Sequence, residues 1–166
     1  MLLFFATQSY GISENEKIFI EKNFKKTIGK SKVYFNFSNV NEKACRELNL
    51  IIIDANKIII PENYEYAKKI NNKIIKSLNL AYDINKLLID FNYLKLDSIN
   101  YYTTLLKYGK KQYSEKELEL IKNDFIKKAE DKAIYLKDKI IAKKNIFKIN
   151  EQELKQMLDD HFNIVE

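Results

Sequence analysis

The one proline in the chain, Pro61, separates two kinds of sequence, and that division constrains the fold more than any other feature. Before it, short apolar runs alternate with helix-like segments. Residues 2–6 are a continuous apolar run bounded by polar residues, the pattern of a central strand. Ser13 and Glu16 stand at capping-box spacing. The segment after them carries Phe19, Ile20, Phe24 and Ile28, with Gly29 placed to end a helix. Val33, Phe35 and Phe37 share one face of a β-rich stretch and predict a second strand over 33–37. Asn41 caps a short predicted helix through Leu48, with Ala44, Cys45 and Leu48 inward. Residues 50–53, Leu-Ile-Ile-Ile, read as a buried third strand, and Ile58-Ile59-Ile60 as a further apolar run closed by Pro61. Strands alternating with helices predict an α/β fold with a small three- to four-stranded N-terminal sheet. Pairing of the two isoleucine runs as a hairpin would make it α+β instead.

After Pro61 no strand pattern follows, and the expectation is an all-helical C-terminal half. Pro61 suits a first helical turn, and Tyr66, Ile70, Ile74 and Leu78 keep helical spacing. A second helix is predicted from about Leu80, and a third from Asp97 or Ser98 to Gly109. A second capping box, Ser114 with Glu117, opens a long helix to about Ile146. Asn150 with Glu153 resembles another, opening a last helix with Leu154, Met157, Leu158 and Phe162. The expected organisation is a sheet unit over 1–60 and a helical region over 61–166 packed on it as one globular domain. A chain of 166 residues buries enough of its surface to need no disulfide or metal.

The inventory of reactive side chains is thin: one His (His161), one Cys (Cys45), one Arg (Arg46) and no Trp. A zinc site wants three or four His, Cys or carboxylate ligands in a set that one His and one Cys do not supply in the usual form. An oxygen-ligand magnesium or calcium site stays open. A nucleophile–histidine triad would have to use His161, which reads as a surface residue on a terminal helix between acids and aromatics. No catalytic residue, metal or cofactor is assigned, and the chain is expected not to be an enzyme. The lone Cys suits a reducing compartment, and the short apolar start lacks the basic region of a signal peptide. A cytoplasmic protein without a membrane span is expected.

Lysine dominates the charge, with 28 Lys against the single Arg and a net +6. Specific DNA reading, which favours Arg forks, is a poor fit, while nonspecific attraction to phosphate stays open. Isoleucine, lysine and asparagine all have A/T-rich codons, so genome composition also accounts for the lysine excess. Charge is segregated: residues 122–148 hold nine Lys and four acids, and residues 149–166 hold one Lys and five acids. A tail folding back on the long helix would neutralise it.

Three candidate sites follow. The loop after the first predicted strand, with Thr7, Ser9 and Gly11, would sit beside Asp54 at the carboxyl ends of the strands, where α/β sheets bind phosphate or carboxylate. It carries no glycine-rich nucleotide motif. Lys107, Lys110, Lys111 and Tyr113 interleave cations with an aromatic ring, as single-stranded nucleic-acid surfaces do. In the long helix, Leu118, Ile121, Phe125, Ala129, Ala133, Leu136 and Ile140 form the core stripe. Leu120, Ile134 and Ile141 form a second apolar line roughly opposite Leu118 and Phe125, which a helix packed on one side does not need. Either the tail helix covers that line through Leu154, Leu158 and Phe162, or another chain does.

The leading functional expectation is a non-enzymatic binding or regulatory protein docking on a protein partner through its helical half, with a homodimer as one form. A phage or mobile-element accessory of inhibitor type is a setting compatible with it. The alternatives are a nucleotide- or phosphate-binding α/β protein, as binder or enzyme, using the Thr7–Gly11 loop, and a nonspecific nucleic-acid binder.

Overall fold

A computed structural model describes residues 11–162. It is all-helical: no strand occurs among the described residues, which overturns the predicted N-terminal sheet. In chain order the α-helices are α1 (Glu14–Ser31), α2 (Glu42–Asn56), α3 (Glu65–Tyr108) and α4 (Glu115–His161). Single 3₁₀ turns follow α1 and α3, at Lys32–Tyr34 and Gly109–Lys111.

The caps read from sequence do start α1, α2 and α4. Glu16 N–H donates to Ser13 Oγ at 3.1 Å, and Ser13 N–H returns a bond to the Glu16 carboxylate at 3.3 Å. Ala44 N–H donates to Asn41 Oδ1 at 2.8 Å, and Glu117 N–H to Ser114 Oγ at 3.2 Å. Gly29 does not end α1, which runs on to Ser31.

Among the described residues the predicted strands fail for separate reasons. Residues 2–6 lie outside the described residues. Residues 33–37 form a 3₁₀ turn and a loop, and Phe37 has φ 56°, a left-handed conformation no strand contains. Their aromatic side chains are used differently: Phe35 and Phe37 both pack edge-on against Phe147 of α4, with centroids 5.0 and 5.6 Å apart. Residues 50–53 belong to α2. Its buried residues Ala44, Leu48, Ile51 and Ala55 recur every three or four positions, so the isoleucine run continues a helical stripe begun at the Asn41 cap. Ile58-Ile59-Ile60 is irregular backbone leading to Pro61, with Ile59 largely exposed.

The five helices predicted after Pro61 are two. Helix α3 has 44 residues and α4 has 47, each about 70 Å long. Ser98, expected to start a helix, sits mid-helix and donates its hydroxyl to the Leu94 carbonyl at 2.8 Å. Asn150 and Glu153 also sit inside α4. As far as His161 the tail therefore does not fold back; it continues the helix.

The two long helices pack antiparallel. Lys73 pairs with Glu153, Asp83 with Lys143 at 3.3 Å, and the Tyr101 ring stacks on Phe125 at 3.9 Å, so the register holds without a slip. Helices α1 and α2 pack on the first half of α3, and the core draws on all four helices: Ile20 and Phe24, Leu48 and Ala55, Ile70 and Leu78, Leu154 and Leu158. Beyond this base, among the described residues, only the α3–α4 pair projects, as an arm about 30 Å long ending at Gly109.

Candidate interaction surface

The arm differs from the base in what it buries. The last buried residue of α3 is Ile89 and the first of α4 is Leu136. Between them only Gly109, at the turn, is buried. A Cβ there would meet Leu118 Cδ2 at 2.8 Å, so a larger residue would displace the end of the Leu118 side chain. The seam residues Phe91, Leu94, Leu105, Leu118, Ile121 and Phe125 are only half-buried. Two helices alone cannot enclose their own apolar stripes.

Along one side of the arm the two helices leave an open groove of about 520 Å³. Its walls are apolar: Leu94, Ile99 and Tyr102 from α3, and Phe125, Ile126 and Ala133 from α4. Ile99 is 56% exposed and Ile126 39%. Both walls keep coiled-coil spacing, Lys95-Ile99-Tyr102-Leu106 on α3 and Lys122-Ile126-Ala129-Ala133 on α4. Charges sit along it. Lys122 lies over the Tyr102 ring at 5.3 Å, and Glu130, one helical turn past Ile126, makes no ion pair among the described residues.

The line predicted from sequence, Leu120, Ile134 and Ile141, is present and uncovered, at 64%, 59% and 49% exposure. The expected cover is absent because Leu154, Leu158 and Phe162 belong to the base core, where Phe162 meets Phe24 at 5.8 Å. The same sequence reasoning missed the groove. Its signal was the heptad spacing of Ile99, Tyr102 and Leu106, all inside the one helix predicted from Asp97 or Ser98 to Gly109.

Lys107, Lys110, Lys111 and Tyr113 come together at the tip, all exposed, with Lys107 over the Tyr108 ring at 5.3 Å. Thr7 and Ser9 lie outside the described residues, and Gly11 is exposed in the loop before α1. Asp54 is on the last turns of α2, in a shallow cleft with Lys26 and Lys30. Among the described residues no sheet edge adjoins it.

Chemistry elsewhere is sparse. Cys45 is buried between α2 and its neighbours, and burial raises its thiol above the usual range despite nearby Lys86. His161 ends α4 against the Tyr66 ring, with centroids 3.4 Å apart. Among the described residues no three His, Cys, Asp or Glu side chains gather at one point, and no helix is long and apolar enough to cross a membrane. Compared with family models, characterised proteins and solved structures, the chain matches none.

Proposed function

We propose that this protein is a non-enzymatic binding protein that holds a protein partner through the α3–α4 arm. The observation that carries the reading is the contrast between the two halves of the hairpin. The base has a core from four helices, while the arm keeps helical order yet leaves apolar side chains in water. Exposed apolar area of this extent favours association, at about 25 cal/mol per Å² removed from water. The outer line of α4, with Leu120 and Ile134 on the arm and Ile141 just inside the base, is the partner-facing surface in this reading, because no element among the described residues covers it. Lys127 and Lys137 border it and would steer an acidic rim on the partner.

The test uses Ile134→Lys with Ile141→Lys. Both positions are exposed, so the fold should be unaffected. Proteins retained from the native host by the wild-type chain are purified and titrated against both forms. A partner whose affinity falls tenfold or more with the double substitution supports the reading. A partner set and affinity unchanged by it would refute the reading.

A second reading has one observation in its favour: Lys107, Lys110, Lys111 and Tyr113 gather at the tip of the arm. Nonspecific nucleic-acid binding there predicts a gel shift at low salt that vanishes steeply as salt rises. Glu115, Glu117 and Glu119 in the adjoining turns work against it.

A further inference from the structure

We infer that the groove of the arm is filled by the same groove of a second copy of this chain, the two arms lying antiparallel as a four-helix bundle. The inference rests on reading the arm as a docking element and assigns one of its faces. Three observations carry it.

The first is the state of the seam. Phe91, Leu94, Leu105 and Phe125 face the groove side and remain half-buried. A four-helix bundle encloses such stripes in a common core, and the coiled-coil spacing of both walls is the pattern its packing uses.

The second is charge. Lys122 and Glu130 both line the groove, each four residues from Ile126. A twofold axis crossing α4 at Ile126 sets α4 against its copy in antiparallel sense. Each Lys122 then meets Glu130 of the other chain, about 6 Å along the helix on either side of the axis. The Tyr101–Phe125 stack puts Asn100 level with Ile126. The same axis therefore crosses α3 between Ile99 and Tyr102, so each packs on the other's counterpart. One axis matches both walls.

The third is area. A face about 30 Å long and two helix diameters wide covers about 600 Å² per copy, or about 1,200 Å² in all, which reaches the range of specific interfaces. The bases lie at opposite ends of such a dimer and do not collide. Leu120, about 120° round α4 from Ile126, stays outside the contact.

Sedimentation equilibrium of the full chain tests this. The mass is expected to rise with concentration from 19.7 kDa toward twice that value. Lys122→Glu and Glu130→Lys, both on the exposed arm, should each weaken the dimer about tenfold or more, because each places like charges opposite at two points. Mixing the two variants should restore association as a heterodimer. Ile126→Cys should cross-link on oxidation, since Cys45 is buried and position 126 lies on the axis. Leu120→Cys should not. A chain that stays at 19.7 kDa at all concentrations, a dimer indifferent to both charge reversals, or cross-linking at position 120 as fast as at 126 would overturn the inference. A monomer that still needs Ile134 and Ile141 for its partner would end the dimer alone. A dimer whose partner ignores those residues would end the docking reading alone.

Discussion

Asn150 donates a side-chain hydrogen bond to the Ser77 hydroxyl at 2.7 Å and a second to the Lys73 carbonyl at 2.9 Å, tying α4 to α3 inside the base. Both Asn150 and Ser77 are almost fully buried. The two bonds that its amide donates are made at one alignment of the two helices and lost at others, so they specify register as well as contributing stability.

Asn150→Ala should therefore lower the unfolding free energy by about 2 kcal/mol, from two lost hydrogen bonds and a small void. Chemical denaturation followed by circular dichroism measures it. A loss under about 0.5 kcal/mol would show that the contact contributes little.

Gly29 lies in the interior of α1, exposed, with no atom within 4 Å of where a Cβ would stand. Gly29→Ala is expected to raise stability by about 0.5–1 kcal/mol, because alanine restricts the unfolded chain and suits the helix. The same denaturation experiment gives the sign.

Phe24 is fully buried in the base, whereas Ile126 stands on the arm at 39% exposure. Phe24→Ala should cost about 3–5 kcal/mol. Ile126→Ala should cost about 1 kcal/mol or less when both are measured at concentrations that keep the chain monomeric. Comparable losses would contradict the division between a packed base and an unsupported arm.

Lys73 of α3 pairs with Glu153 of α4, and that partner holds the Glu153 carboxyl below its ordinary value of 4.5. A carboxyl with a depressed folded pKa contributes stability above its unfolded pKa, and the contribution is lost as pH falls through the folded value. Glu153→Gln should thus flatten the fall in urea midpoint between about pH 6 and pH 3. The effect at neutral pH should be small, since the pair is exposed.

Three of the capping signals in the chain were sound. Ser13 with Glu16, Asn41, and Ser114 with Glu117 cap helices where their spacing says they should, because a cap needs only its own side chain and the next three amides. The uncovered line of Leu120, Ile134 and Ile141 was legible for a similar reason: periodicity along one helix fixes which residues share a face. Asn150 and Glu153 show the limit. Their spacing imitates a helix start, but both reach across to Lys73 instead, one to its carbonyl and one to its ammonium.

The sequence by itself determined the caps, the helical faces and the scarcity of reactive groups. Only tertiary structure decided that Ile51, Ile52 and Ile53 are helical, that three predicted helices are one, and that half of the resulting hairpin has no cover. A β-branched run suits a strand or a buried helix equally well in isolation. Whether α2 supplies the stripe that α3 packs against depends on contacts between segments far apart in the chain. The exposed groove follows from the same cause: it exists because α1 and α2 are too short to reach along the arm.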